Sequence, residues 1–402
     1  MRLPAVLRPL RHRDFALLWS GQAFSMLGNF VNQIALPWQV LQLTGSAVQM
    51  GIVIAISIAS NVAFLLFGGA IVDRVPRRRV LLISDFTDGV TFSAIAVLSA
   101  TAALRVEHLY LAAAVGGAMG AFFNPAMTAI LPELVPQDVL VAGNALRGLS
   151  RQGARVFGPL LGGVLVATAG TPAAFAFDAL TFFVSFAALV AMRSVASPAR
   201  VRSGIFREMR EGIAFVFSLP WIWVTIAIFG VLNTFIVGSF SVGLPVLLKQ
   251  VLRVDAATFG SVFASQGVGE AAGGLLLGQF RTRHSGVLMY AFAAIGGLAL
   301  VGFGLATFVP PLLVAGALWG LSFVGFAVLW DTALQKHVPR ELLGRVSSVD
   351  WFGSLILAPV GPLVAGGLVA SLGPGPVFVA SGLVTLAASL LAMLVPSIRR
   401  LE

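Results

Sequence analysis

Gly69-Ala-Ile-Val-Asp73-Arg74-Val-Pro-Arg77-Arg78-Arg79 is a short polar loop wedged between two long apolar segments. Its spacing places a glycine at the end of one apolar segment, an acid one turn later, and a cluster of arginines where the chain leaves the hydrocarbon. That order predicts two membrane helices joined by a cytoplasmic loop, because Lys and Arg near the ends of spans stay on the cytoplasmic side.

The rest of the chain extends this reading. Hydrophobic residues make up 58% and charged residues 10%, and mean hydropathy is +0.96, a balance outside that of soluble domains. Twelve apolar stretches are legible, at 14–41, 47–72, 80–102, 108–131, 139–168, 173–192, 221–248, 256–280, 286–308, 311–335, 344–371 and 375–396. Each is long enough to cross a hydrocarbon core of about 30 Å at about 1.5 Å per residue. Runs of this length satisfy their backbone in lipid only as helices, which excludes a β-barrel. The expected fold is an all-α polytopic membrane protein of twelve transmembrane helices.

With the N-terminus inside, one side collects Arg2, Arg8, Arg11, Arg13, Arg74, Arg77 to Arg79, Arg193, Arg200, Arg202, Arg207, Arg210, Arg281, Arg283, Lys336, Arg340, Arg345, Arg399 and Arg400. The other side receives Arg105, Lys249 and Arg253. Both termini are therefore expected in the cytoplasm, and the bias accounts for most of the net charge of +10. Basic residues scattered over short loops do not suggest nucleic acid. The first apolar run is too long for a signal peptide and has no small-residue cleavage site. Without cysteine there is no disulfide or thiolate chemistry. His12, His108, His284 and His337 lack ligand spacing, so no metal site and no cofactor is expected.

The loop from Arg193 to Leu219 is longer than the others and divides the chain into a six-helix bundle at 1–192, a cytoplasmic linker at 193–219 and a second bundle at 220–402. The halves share an internal register. Pro136, Gly158-Pro159-Leu-Leu-Gly162-Gly163 and Gly170 match Pro339, Gly361-Pro362-Leu-Val-Ala-Gly366 and Gly373, while Gly51 and Gly69 match Gly260 and Gly278. The second and fifth spans thus correspond to the eighth and eleventh. Two parallel six-helix halves suit a transporter that alternates access to a central site.

The chain resembles the major facilitator superfamily, and within it the branch of the enterobactin exporter and the macrolide and multidrug efflux permeases. The loop at Gly69–Arg79 resembles that family's loop between helices two and three, and Gly158 to Gly163 its antiporter motif. Branch-like features are Phe177-Asp178-Ala-Leu-Thr-Phe182, Arg207-Glu-Met-Arg-Glu-Gly212, Gln335-Lys-His-Val-Pro339 and Gly344-Arg345-Val-Ser-Ser348. The departures are Pro76 for the second loop glycine, Ala145 and Ala154 for helix-five glycines, and a second loop copy, Gly278 to Arg283, that has lost its acid. The resemblance implies a secondary transporter of the bacterial inner (plasma) membrane, monomeric, exporting amphiphilic drug-like or siderophore-like molecules by proton antiport. The proton gradient would be its energy source, with substrate, protons and lipid its partners. An importer or lysophospholipid transporter of the same fold is the alternative. A membrane enzyme or receptor lacks support, since there is no HExxH, GxSxG or P-loop.

Candidate residues follow from the cost of polarity in lipid. Ionisable side chains inside spans are functional candidates by default. The acids are Asp85 and Asp88 in span three, Asp178 in span six, Glu270 in span eight and Asp331 in span ten, and all five are proton-coupling candidates. Arg147, Arg151 and Arg155 fall on one face of span five as their ion-pair partners. The spacing suggests Arg147 for Asp85 or Asp88, unless these face the cavity, Arg155 for Asp178, and Arg151 for Glu270; Glu270 ranks first as proton carrier and Asp331 second, while Asp85, Asp88 and Asp178 read as structural. Gly69, Asp73, Arg74, Arg77 and Asp350 form the expected gating loop, with the arginines pairing to Asp350. Gly158, Pro159, Gly162 and Gly163 are the interface motif, a kinked, smooth packing face. Gln22, Ser25, Asn29, Asn32 and Gln33 make a polar stripe on span one, and with Asn124, Asn233 and Trp330 they are the expected substrate cavity.

Overall fold

A computed structural model describes residues 5–72, 75–193, 205–277 and 284–401. The loop residues Asp73 and Arg74, the stretch 194–204 and the second loop copy at 278–283 lie outside the described residues.

The described residues are almost wholly helical, with no strand among them. Nine helices among them are long and apolar enough to cross a membrane. One of the nine, Gln137–Ala191, is two helices end to end, because Gly170 takes φ 78° and ψ 173°. Dividing it there and adding Arg13–Thr44 and Ala256–Leu277 gives twelve long rods, consistent with the expected spans. They are numbered here in chain order: α1 (Arg13–Thr44), α2 (Ala47–Val72), α3 (Arg77–Ala100), α4 (Val106–Leu134), α5 (137–169), α6 (171–191), α7 (220–251), α8 (Ala256–Leu277), α9 (Ser285–Leu305), α10 (Val309–His337), α11 (340–372) and α12 (Pro374–Ala392). A linker helix, Ile205–Ser218, precedes α7.

Local chemistry explains the joints. Gly45 ends α1 in the left-handed region at φ 60°, and its N–H bonds the Leu41 carbonyl. Gly373 takes φ 83° and ψ 166° between α11 and α12, the same conformation as its repeat partner Gly170. Two spans depart from simple rods. In α7 the turns Ser239–Gly243 and Leu247–Val251 on either side of Pro245 are π-helical; a proline lacks the N–H of a regular turn. The eleventh span, expected unbroken at 344–371, is interrupted at 356–359, where Pro359 and Pro362 follow closely on the helix Arg340–Leu355.

Contacts divide the chain into two compact units. One comprises residues 1–45, 52–200 and 255–264; the other comprises 46–51, 201–254 and 265–402. In the first unit, α1 packs on α5 and α6, and α3 packs on α4 and α6. Small residues set the α1–α6 approach. A Cβ built at Gly21 would meet Ser185 and Ala188, and one at Gly28 would strike Thr181 and Asp178. The second unit has an aromatic core. Trp221, Tyr290 and Trp330 are buried with Leu334, Val338 and Ile398, and the Trp221 and Trp330 rings meet edge to face at 5.5 Å.

Candidate functional site

The interface motif of α5 presents two faces. Gly158 and Gly162 pack on α1, where a Cβ would strike Phe30 and Val31. Pro159 and Gly163 face α8: the Pro159 carbonyl lies against Gly260, and Gly163 lies against the Ala256 carbonyl. The repeat copy behaves alike, since Gly361 meets the Thr234 carbonyl of α7 and the Pro362 carbonyl meets Gly51 of α2. Asp255 starts α8 as its cap. Its carboxylate accepts the Thr258 N–H at 2.8 Å, and the Thr258 hydroxyl and amide hold this carboxyl below its ordinary range.

Three acids converge inside the first unit. Asp85 and Asp88 lie three residues apart on one face of α3, and Asp88 is within electrostatic range of both Asp85 and Asp178. Asp178 is 0% exposed and Asp85 is 1% exposed. Neither Asp178 oxygen, nor Oδ2 of Asp85, nor Oδ1 of Asp88 has a hydrogen-bond partner among the described residues. Gln22 of α1 reaches toward the group, its Nε2 donating at 2.8 Å to Ser185 Oγ, which neighbours Asp85.

This convergence corrects the pairings expected for Asp85, Asp88 and Asp178. Among the described residues no ion pair joins Asp85, Asp88 or Asp178 to an arginine, and Arg147 Nε is itself without a partner. The reason is azimuth. Asp178 shares a helix face with Ala174, Phe175, Thr181 and Phe182, and the sequence pattern reports depth along a helix without saying which neighbour that face meets. Arg151 is exposed, while Arg147 and Arg155 are half-buried.

Asn29 and Asn32 border a cavity of about 220 Å3 with Asp88, Ser57 and Phe182. That volume is below the range of about 300–1,000 Å3 typical of small-molecule pockets, yet it admits several waters. The α1 stripe therefore divides: Gln22 and Ser25 are buried, Asn29 and Asn32 line the cavity, and Gln33 is exposed. Asn124 is exposed. Asn233 is tied to α11, donating to the Ser354 carbonyl at 2.9 Å.

In the second unit Glu270 is buried at 7% exposure, and Gly320 of α10 closes on its backbone nitrogen. Asp331 is exposed. Trp330 is not a cavity wall. It lies in the aromatic core, with its indole N–H donating to Asp350 at 2.8 Å. Asp350 also accepts from Ser354 at 3.2 Å, so its described partners are these two rather than an arginine.

The loop arginines carry contacts that sequence reasoning missed. Arg77, 5% exposed, forms an ion pair with Glu133 of α4. Arg78 caps the C-terminal end of α6, donating to the Leu189 carbonyl at 2.7 Å and the Val190 carbonyl at 2.8 Å. The one signal for the Arg77 pair was an acid just inside the end of α4, at Leu131-Pro132-Glu133. Two stretches with a branch resemblance meet as well: Glu211 of the linker helix pairs with Arg345, and Gly212 packs on the Arg345 backbone.

Long apolar helices define a multi-pass membrane protein, and its family and relatives make it a transporter and not an enzyme. Solved structures share its fold. A bacterial homologue of the human lysosomal transporter Spinster matches with a TM-score of 0.76 at 14% identity, over 98% of each chain. The nucleoside transporter NupG matches with a TM-score of 0.75 at 12% identity, over 94% of this chain and 98% of that one. Residues 5–356 match the family described as transmembrane secretion effector, and the chain belongs to this family of the major facilitator superfamily. It is 30% identical to the multidrug efflux pump Tap of Mycolicibacterium fortuitum, over 96% of both proteins. It is 25% identical to the enterobactin exporter EntS of Shigella boydii serotype 18, over 96% of this chain and 92% of that protein.

Proposed function

We propose that this transporter is a proton-coupled exporter of amphiphilic drug-like or siderophore-like small molecules, working by alternating access. It acts as a monomer in the bacterial plasma membrane, has six helices on each side of the 193–219 linker, and keeps both termini in the cytoplasm. The efflux pump and the enterobactin exporter among its relatives support outward transport.

The observation that carries proton coupling is the Asp85–Asp88–Asp178 group beside a cavity sized for water. A buried, unpaired carboxylate costs several kcal/mol, on the order of the effective penalty for a single desolvated ion. Asp88 is within electrostatic range of the other two and like charges there repel, so proton uptake relieves the group and release requires water to reach it. Such a group exchanges protons when the conformation around it changes. Glu270 and Asp331 are further titrating candidates in the second unit. The gating role of Asp73 and Arg74 with Arg77 and Asp350, and the sealing role of Gly158 to Gly163, belong to the same proposal.

The test is transport by the purified chain in proteoliposomes under an imposed pH gradient, with amphiphilic cations, macrolides and siderophores as cargo. Accumulation that follows the gradient, accompanied by counterflow of protons, is expected. Accumulation that ignores the gradient would remove the antiport claim, and no transport of any cargo would remove the exporter reading.

A further inference from the structure

A larger hollow lies in the first unit, away from the carboxyl group. It opens where the C-terminal ends of α1 and α3, the turn before α4 and the α5–α6 junction come together. Its volume is about 510 Å3, within the range of drug-sized pockets. The rim holds two left-handed residues, Gly170 at φ 78° and Ala102 at φ 54°. The second is a strained conformation for a residue with a Cβ, of the kind that persists where the surroundings enforce it.

The polar wall is built around Gln39. This side chain is 5% exposed, and its Oε1 accepts both the Thr171 hydroxyl and the Ser99 hydroxyl, the latter at 3.1 Å. This places the amide oxygen toward Ser99 and Thr171 and the amide nitrogen away from them. The Nε2 group forms no hydrogen bond with any described residue, and Gln39 lines the hollow, so its two donors are held ready there. Gln42 adds a second amide, and Trp38 a ring braced edge-on against Phe259 at 5.7 Å. Among the described residues no ionisable side chain lines this space.

We propose that the hollow is a second substrate subsite for an uncharged amphiphile that carries an acceptor oxygen beside an aromatic or apolar ring. The oxygen takes the Gln39 amide and the ring lies on Trp38, while the lack of a carboxylate gives a cation no advantage there. The assignment rests on the exporter reading in one respect: with the termini inside, this end of the unit faces outward, and the subsite is a late station of the outgoing molecule.

The experiment uses the full chain in lipid nanodiscs and equilibrium dialysis with two probes. Chloramphenicol is uncharged with an amide carbonyl and an aromatic ring; tetraphenylphosphonium is a lipophilic cation. Gln39→Glu keeps the shape and the accepting oxygen but loses both donors. Leu43→Trp fills the hollow from its exposed edge and leaves the Gln39 network alone. Chloramphenicol affinity should fall about tenfold in the first, the worth of one hydrogen bond, and below detection in the second, with tetraphenylphosphonium binding unchanged in the second and unchanged or tighter in the first, where the new carboxylate favours a cation. Chloramphenicol binding that is absent from the parent chain, or equal in parent and Leu43→Trp, overturns the subsite. Proteoliposome transport separates the two readings. Transport of both probes with unaltered binding in the variants removes the subsite alone, and failure of all transport with the binding loss intact removes the exporter reading alone.

Discussion

Gly260 lies against the carbonyl oxygen of Pro159 so closely that a Cβ built on it would collide with that oxygen. The hydrogen that replaces a side chain points at the carbonyl, a weak Cα–H···O contact that only glycine permits at this distance. Gly51 stands in the same relation to Pro362. The proline-glycine segment of each half thus offers its backbone to a glycine two turns or less from the start of a helix numbered in the other half.

Replacing Gly260 with Ala should therefore lower stability by about 1–3 kcal/mol, the usual cost of overpacking, and Gly51→Ala should do the same. Gly153 and Gly367 have nothing within 4 Å of a built Cβ, so alanine there should be neutral or slightly stabilising within a helix. Thermal unfolding of the four purified variants decides this. Equal midpoints for Gly260→Ala and Gly153→Ala would mean that the contact carries no energy.

The repeat was legible because it is written in backbone requirements. Gly170 and Gly373 both need a left-handed conformation, and Gly51 and Gly260 both need the absence of a side chain, so glycine marks each position in the sequence. Long apolar runs disclosed the helices for the same kind of reason. The site was less legible. Asp85, Asp88 and Asp178 were singled out by polarity in lipid, but their partners depend on helix rotation and packing, which a periodic pattern leaves open. Trp330 shows the same gap: an aromatic in a span reads equally well as cavity wall or core, and only its contacts with Trp221 and Asp350 distinguish the two.

The Arg77–Glu133 pair should behave as a buried ion pair. Arg77→Gln or Glu133→Gln alone leaves one charge without its partner and should cost about 3–5 kcal/mol. The double variant should cost less than the sum of the singles. A double-mutant cycle on thermal stability measures the coupling, and strict additivity would show that the two side chains act independently.

Asp255 provides a pH-dependent contribution outside the membrane spans. Its carboxyl is held below the ordinary value by the Thr258 hydroxyl and amide, so the ionised form is favoured by folding. The stabilisation is present above the unfolded value, near neutral pH, and is lost as acid takes the solution down through the lowered folded value. Asp255→Ala should cost up to about 1 kcal/mol at neutral pH, a typical helix cap, reduced here by solvent exposure. The difference between parent and variant should shrink in acid; a difference that grows in acid would reverse the assignment.

Asp178 separates a coupling role from a structural one. Both of its carboxyl oxygens are buried without a hydrogen-bond partner among the described residues, so Asp178→Asn removes no bond on which the fold depends. Stability should stay the same or rise, in contrast to Arg77→Gln, because an amide of the same shape replaces a group that is costly to ionise where it stands. Transport should respond in the opposite direction. If the three carboxyls exchange the coupled proton, the variant should lose gradient-driven accumulation while keeping passive exchange of substrate down its own gradient, and its transport rate should no longer vary with pH as that of the parent does. Gradient-driven uptake into inverted vesicles, substrate exchange and the thermal midpoint, measured on one preparation, distinguish the cases. A destabilised variant with an unchanged pH profile would make Asp178 a packing residue and move the proton to Glu270 or Asp331.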